Sequence, residues 1–345
     1  MLIVLYCFLT DLRSMDFEIT SINFTLLLDI YILPILILHL YNLLKIKKDL
    51  IFFILCAANV ACVFSLFSFA IPEIGSFFRE DLLKSNDFTS FVAFRTFGLA
   101  EDLTFSYGIT QGLMIGMMAL YSKSRLLLWF AIPIFLGTIL INARTGFVPV
   151  IIFTILFFSV NFRPKLIVQI FAVAFCLVML LPNLNIESEK FKTLEWGLDF
   201  FLQMNDVTTG SSTSDFNTFD VLAGSMFVLP SSFLEFIFGT GNYIFGKDYG
   251  PSSDVGYILQ LYYGGLIYLF LVFFILIWMI VTFFKTVRVT KKENIFWICL
   301  FLTICIVNIK GNVFTTNGFL RLAILLVMHN YIINSNKKIQ SIVIK

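Results

Sequence analysis

Residues 257–281 read YILQLYYGGLIYLFLVFFILIWMIV and contain no charged side chain. A helix of about 20 apolar residues crosses the hydrocarbon core of a bilayer, so this run is long enough to span one. The preceding stretch, GTGNYIFGKDYGPSSDVGY (239–257), is instead rich in glycine and carries Lys247, Asp248 and Asp254. We therefore predict a membrane-spanning helix that begins directly after a polar loop.

The whole chain has the composition of a membrane protein. Of its 345 residues, 59% are hydrophobic and 13% are charged, whereas soluble domains carry about 25% charged residues. The apolar runs are continuous and do not alternate, which favours helices over a β-barrel. We expect an all-α fold, a polytopic integral membrane helical bundle of about nine or ten transmembrane helices. The predicted spans are 22–44, 50–71, 104–121, 126–143, 146–162, 165–182, 256–283, 294–310 and 318–334.

The opening MLIVLYCFLT (1–10) is too short to cross a bilayer alone before Asp11 and Arg13 interrupt it. It is either a short interfacial or signal-like segment, or half of a tenth span. No cleavage site of small residues follows it, so we do not expect its removal.

Basic residues assign the two sides of the predicted bundle. If the segment after the first long span is cytoplasmic, the other short loops on that side are also basic, as the positive-inside rule requires. These segments are KIKK (45–48), SKSR (122–125), RPK (163–165), KTVRVTKK (285–292) and the C-terminal tail with Lys337, Lys338 and Lys345. The C-terminus is then cytoplasmic, and most acidic residues lie on the outer side.

Two long segments fall on the outer side, 72–103 and 183–255. The second is predicted to be one large extracytoplasmic loop within a single integral membrane domain, 1–345. Inside it, 191–204 has the pattern of an amphipathic surface helix. Residues 219–238 are apolar enough to re-enter the membrane or to pack against the bundle.

The six cysteines all lie in apolar stretches and show no CxxC or metal-binding spacing. We expect no disulfide, no zinc or other metal site and no cofactor.

Five cations lie at the outer ends of predicted spans, where a charge needs a physical reason. They are Arg95, Arg144, Lys247, Lys310 and Arg321. Guanidinium groups bind phosphate oxygens in a bidentate way, so a pocket for a diphosphate is one interpretation. The other is that each cation reaches toward water or pairs with an outer acid such as Glu101 or Asp102. Asp29, a lone acid within the first long span, either pairs with an outer arginine or relays a proton.

The glycines of 239–257 resemble a nucleotide-binding loop only loosely, because the GK[ST] ending and a preceding strand are missing. We instead expect them to permit tight turns and close backbone approach. The loop would then hold Lys247, Asp248 and Asp254 over the mouth of the bundle. Tyr257 opens the next span as a candidate substrate contact, and Tyr262 and Tyr263 are predicted to belong to an interfacial aromatic belt.

Four stretches of the chain resemble the bacterial O-antigen and capsular polysaccharide polymerases, relatives of the O-antigen ligases. They are FRTFGLAEDLTFSYG (94–108), NARTGF (142–147), the loop end GTGNY…SSDVGYILQLYYGG (239–265), and the closing pair of spans with Lys310 and Arg321. NARTGF is similar to the family's Ser-Arg-Gly turn, with Ala143 and Thr145 in place of the serine and glycine.

This resemblance implies a membrane glycosyltransferase of the bacterial plasma (inner) membrane. Such a polymerase moves a growing glycan from undecaprenyl diphosphate to another lipid-linked repeat unit. By this resemblance Arg144 and Arg321, with Arg95 and Lys247, bind the donor diphosphate, and no metal is required. Asp254, with Asp248 as the alternative, accepts the proton of the attacking hydroxyl.

The implied partners are the undecaprenyl-diphosphate-linked oligosaccharide and membrane lipid, with a chain-length regulator and a repeat-unit flippase as candidates, and no nucleic acid. The ligases share a histidine in the large outer loop, and 183–255 contains none. The resemblance therefore favours a polymerase over a ligase. A transporter or flippase of lipid-linked sugars is the main alternative, although no duplicated half is visible. A membrane acyltransferase that modifies sugars is a further alternative.

Overall fold

A computed structural model describes residues 2–43, 50–77, 105–121, 125–160, 224, 226–245, 252–286, 291–313, 322 and 324–327. These residues are mostly helical and contain no β-strand, which confirms the predicted all-helical class for this part of the chain. The predicted span 165–182, the surface helix 191–204 and most of 318–334 lie outside the described residues.

The chain divides into two compact units, and helix α10 (Lys291–Val307) contributes to both. Residues 1–47, 214–290 and 301–345 form the first unit, and 48–213 with 291–300 form the second. The prediction of a single integral membrane domain stays a prediction.

The first unit contains α1 (Leu2–Ser14), α2 (Glu18–Leu43), the short α8 (Phe233–Phe238), α9 (Gly256–Thr286) and the end of α10 (Lys291–Val307). The helix that begins in the apolar N-terminal run does not end with that run, because α1 continues through Asp11 to Ser14. Helix α1 packs against both α2 and α9. The predicted last turn of span 294–310 is not helical, since α10 ends at Val307 and a turn follows.

The second unit contains α3 (Leu50–Ala70), α4 (Pro72–Ser76), α5 (Phe105–Tyr121), α6 (Arg125–Asn142), α7 (Phe147–Val160) and the start of α10. Helix α3 ends because Pro72 disfavours helical geometry at Ile71, which is extended. Gly108, Gly112 and Gly116 follow one face of α5 at helical spacing. This face lies against the connection between α6 and α7 and against α7 itself.

Helix α9 is not a straight rod. Gly265 adopts φ 66° and ψ −166°, which divides the helix into a first arm (256–264) and a second arm (266–286). The rings of Tyr257 and Phe273 stack with their centroids 6.0 Å apart, whereas a straight helix would separate these residues by about 24 Å. The first arm therefore folds back along the second, so the prediction of one continuous span over 256–283 is wrong.

Two helices of the described chain, Leu50–Ala70 and Gly256–Val281, are long and apolar enough to cross a membrane. In the second of these, the arm after Gly265 is by itself about 30 Å long, close to the thickness of a hydrocarbon core. These lengths support membrane association. The number of spans, the polytopic bundle and the orientation stay predictions.

Candidate functional site

The GTGN stretch (239–242) caps the broken helix α9. The backbone N–H groups of Thr240 and Gly241 donate to the carbonyls of Tyr262 and Tyr263 at 2.8 and 2.9 Å, and the Thr240 hydroxyl donates to the Tyr262 carbonyl at 3.0 Å. These are the carbonyls that a continued helix would have used. The glycines therefore serve helix capping, and this is the structural reason for a glycine-rich stretch before so apolar a helix.

This cap requires glycine on both sides of the contact. Gly239 has φ 73°, and a Cβ atom there would lie 2.2 Å from the Tyr263 carbonyl oxygen. A Cβ at Gly265 would lie 2.2 Å from the Ile237 carbonyl oxygen. Both clashes are with backbone atoms, which cannot rotate away as a side chain can.

The buried carboxyl group of Asp11 connects helix α1 to α2 and α9. Asp11 is fully buried and accepts hydrogen bonds from the Tyr263 hydroxyl at 2.5 Å and from the backbone and hydroxyl of Thr20 at 2.9 and 2.5 Å. Tyr263 is 1% exposed and does not belong to an interfacial belt, so that prediction is wrong. On the same helix, the Arg13 guanidinium donates to the Gly239 carbonyl at 3.3 Å and the Tyr6 hydroxyl to the Gly264 carbonyl at 2.7 Å.

Asp254 precedes the first arm of α9 in a segment that hydrogen bonds hold in place. The buried Ser253 hydroxyl donates to the Met226 carbonyl at 2.7 Å and accepts from the Val255 N–H at 3.1 Å. Burial raises the pKa of the half-buried Asp254 carboxyl above its usual range, and the charge of Lys310 acts against this shift. The backbone of Gly256 also lies against that of Gly311, so the two predicted site residues Asp254 and Lys310 are near each other although they are 56 positions apart along the chain.

Three buried amides hold the turn that carries Lys310 against the first arm. Gln260 donates to the Oδ1 atoms of Asn308 and Asn312 at 3.2 and 2.9 Å, and Asn308 donates back to Gln260 Oε1 at 3.2 Å. The Asn308 Oδ1 atom also accepts from the Val313 N–H at 3.1 Å. We call Gln260, Asn308 and Asn312 the amide clamp.

Two further contacts bring the clamp close to the start of α9. A Cβ atom at Gly256 would lie 2.5 Å from the Gly311 carbonyl oxygen, so glycine permits the turn to approach. Asn312 donates to the Tyr243 hydroxyl at 3.2 Å, which connects the clamp to the segment after GTGN. The clamp was not predicted, because Lys310 was selected from residues 308–312 for its charge alone. The signal was present, since uncapped amides in apolar runs must find partners.

Tyr257 follows Asp254 at the start of the first arm, and its hydroxyl group is hydrogen-bonded within the protein. Its hydroxyl donates to the Cys305 carbonyl at 2.6 Å, and its ring stacks on Phe273. The predicted contact between Tyr257 and substrate stays a prediction.

Arg144 lies in the second unit, on a 3₁₀ turn (Arg144–Gly146) between α6 and α7. We call Ala143 with this turn the arginine turn. A Cβ at Gly108 would lie 2.4 Å from the Ala143 carbonyl oxygen, and one at Gly112 would lie 2.2 Å from the Gly146 carbonyl oxygen. The turn therefore rests directly on the backbone of α5, which fixes the position of the half-buried arginine.

Hydrogen bonds from Asn142, one of them to α3, fix the C-terminal end of α6. Asn142 is fully buried and donates to the Ser65 hydroxyl on α3 at 2.8 Å and to the Thr138 carbonyl at 3.1 Å. NARTGF was selected for its arginine, and the asparagine that opens this motif anchors it.

Four predicted site residues, Arg95, Lys247, Asp248 and Arg321, lie outside the described residues. Cys7, Cys56, Cys62, Cys299 and Cys305 carry no disulfide, and Cys176 lies outside the described part. Within the same part of the chain, no cluster of three or more His, Cys, Asp or Glu side chains could hold a metal ion.

Comparison with known proteins adds no relative to these observations. No protein-family model, no curated protein and no solved structure matches this chain, so the functional argument rests on the residues described above.

Proposed function

We propose that this chain is a polymerase of lipid-linked oligosaccharide repeat units, of the O-antigen or capsule type. It transfers the growing glycan from undecaprenyl diphosphate to another lipid-linked unit on the outer face of the bacterial plasma membrane. The proposal includes a multi-pass helical bundle with a cytoplasmic C-terminus, as the distribution of basic segments predicts.

The observation that carries this proposal is the proximity of Asp254 and Lys310 at the start of α9. The amide clamp brings these two residues together from distant parts of the sequence, next to a helix of membrane-spanning length. Glycan transfer from a diphosphate carrier needs a base for the attacking hydroxyl and a cation for the leaving group. An acid and a lysine held together supply both functions.

In the proposed step one glycosidic bond forms and the bond between the donor glycan and the diphosphate breaks. An acceptor hydroxyl oxygen attacks the anomeric carbon of the donor glycan while the bond from that carbon to the diphosphate oxygen breaks. The hydroxyl proton passes to the Asp254 carboxylate, and undecaprenyl diphosphate leaves with the electron pair. Burial raises the pKa of Asp254 toward the working pH, which suits a general base.

Cations stabilise the negative charge that develops on the diphosphate. The proposal assigns this role to Lys310 and, following the resemblance, to Arg144 and Arg321 with Arg95 and Lys247. Support for Arg144 is its fixed turn, because a preorganised cation stabilises a transition state without reorganisation.

A flippase of lipid-linked sugars is the second candidate, and one observation favours it. Transporters often contain discontinuous helices whose exposed backbone groups bind substrate, and α9 is discontinuous at Gly265. In this protein, however, Thr240, Gly241 and Tyr6 occupy the carbonyls at the break. The break thus has the character of a structural joint, which favours the polymerase.

The proposal is tested by surface glycan length in a deletion strain. We expect the deletion strain to display single repeat units, and wild-type protein to restore long chains. Asp254→Asn and Arg144→Ala are expected to fail at equal protein level, whereas the control Arg125→Ala, in a segment predicted to be cytoplasmic, restores them. If the deletion instead traps lipid-linked units on the cytoplasmic leaflet, the protein is a flippase.

A further inference from the structure

The segment 226–245, which contains α8, exposes an unusual amount of apolar surface. Phe233 is 76% exposed and Leu234 is 68% exposed. Further exposed large apolar side chains of this segment are Phe227, Leu229, Phe238 and Phe245. Large exposed apolar surfaces mark sites of interaction with another molecule or with a membrane.

Polar groups at both ends of α8 form hydrogen bonds within the segment, where water would otherwise be their partner. Glu235 is its only charged residue. The Glu235 carboxylate accepts from the Ser232 N–H at 3.4 Å and the Ser231 hydroxyl at 3.3 Å, while the Ser232 hydroxyl accepts from the Glu235 N–H at 3.1 Å. This capping box satisfies the N–H groups of Ser232 and Glu235 at the start of α8. At its end the Gly239 N–H donates to the Glu235 carbonyl at 2.7 Å. Each backbone group satisfied within the protein lowers the cost of contact with lipid.

The position of α8 along α9 indicates what covers this surface. The Ile237 carbonyl at the end of α8 contacts Gly265, the joint of α9. Roughly 20 residues separate Leu266 from Lys285, and at about 1.5 Å per residue they cover about 30 Å. This is the thickness of a hydrocarbon core. With the basic segment 285–292 at one surface, α8 lies at the opposite hydrocarbon boundary.

The exposed surface also continues onto α9. Leu266, Phe270 and Phe274 are exposed at helical spacing along the second arm, directly after the joint that α8 contacts. An apolar stripe on a helix of this length faces lipid when the helix crosses a membrane. The α8 surface and this stripe meet at the hydrocarbon boundary.

We propose that α8 is an interfacial anchor whose exposed face, centred on Phe233 and Leu234, inserts among phospholipid acyl chains. The inference requires that α9 crosses the membrane, but it holds whatever reaction the protein catalyses.

Photocrosslinking in lipid nanodiscs tests this proposal. Full-length protein carrying p-benzoylphenylalanine at Phe233 or Leu234 is placed in nanodiscs of phosphatidylethanolamine and phosphatidylglycerol, irradiated and analysed by intact mass. Phe270 is the matched position on the second arm of α9, and Asn242 is an exposed polar position in the same segment. Each variant is first required to show the size-exclusion profile of the wild type.

We expect phospholipid adducts at 233, 234 and 270, several-fold above those at 242. Phospholipid adducts at 270 with none at 233 and 234 would overturn the proposal while leaving α9 in the membrane. Crosslinks from 233 to a second copy of the chain would also overturn it and would identify a dimer contact. If 270 gives no lipid adduct, α9 does not face lipid, and both the span and the anchor are wrong.

Discussion

Replacing Gly265 with alanine is expected to destabilise the protein by about 2–6 kcal/mol. The backbone at Gly265, with φ 66° and ψ −166°, lies in a region that only glycine adopts readily, at a cost of about 1–3 kcal/mol for other residues. The new Cβ would also lie 2.2 Å from the Ile237 oxygen and 2.6 Å from the Gly239 nitrogen. Overpacking of this kind adds about 1–3 kcal/mol.

A second glycine provides the matched control, because its replacement with alanine should change stability in the opposite direction. Gly137 lies within α6, and the nearest atom to a Cβ there is Leu66 Cδ2 at 4.0 Å. Because alanine is the better helix former, Gly137→Ala should stabilise the protein by about 0.5–1 kcal/mol.

The assay is thermal unfolding of the purified, detergent-solubilised protein, followed by tryptophan fluorescence and by loss of the monodisperse size-exclusion peak. We expect a clearly lower Tm for Gly265→Ala and an equal or higher Tm for Gly137→Ala. An unchanged Tm for Gly265→Ala would refute the folded-back geometry of α9, since a continuous helix would accept alanine at this position.

Three further predictions concern the two units. Lys310→Met removes the charge that lowers the pKa of Asp254, so the pKa rises further. Because a base must be deprotonated, the acid limb of the polymerisation–pH profile should move to higher pH, and an unmoved limb would contradict the pairing. Gly112→Ala should displace the arginine turn and abolish chain synthesis, because its Cβ would lie 2.2 Å from a backbone oxygen. Gly116→Ala should cost much less, since its Cβ would meet a Phe ring carbon at 3.0 Å; equal activities in the glycan-length assay would count against the fixed turn. Tyr263→Phe removes one donor to the buried carboxyl of α1 and should lower stability by about 1–3 kcal/mol, seen as a reduced Tm that Tyr262→Phe does not reproduce.

The positions of the long helices of the second unit could be predicted because each one coincides with a long apolar run. The predicted starts and ends of α3, α5, α6 and α7 differ from the structure by only a few residues. Apolar content alone determines where such helices lie, whatever their neighbours are.

The break in α9 could not be predicted in the same way. Gly264 and Gly265 sit in an uninterrupted apolar run, and glycine is common in membrane helices. The break depends on donors from Thr240 and Gly241, which lie more than 20 residues earlier in the sequence. Only the tertiary contact reveals that these glycines form a joint.

The candidate site was predicted in part. Asp254, Lys310 and Arg144 were selected as charges at the ends of apolar runs, which the sequence displays directly. Asp11 was interpreted only as the end of a short run, because its partners Thr20 and Tyr263 are distant in sequence. The amide clamp was missed because neutral amides give no charge signal, although amides in apolar runs must find hydrogen-bond partners.

The most direct test of the proposed function uses the purified protein in liposomes with an undecaprenyl-diphosphate-linked repeat unit as its only substrate. We predict a ladder of lengthened lipid-linked glycans together with released undecaprenyl diphosphate, and loss of both products in Asp254→Asn while its Tm stays that of the wild type. If folded wild-type protein leaves the repeat unit unlengthened but moves it between leaflets, the polymerase account is contradicted and the chain is a transporter.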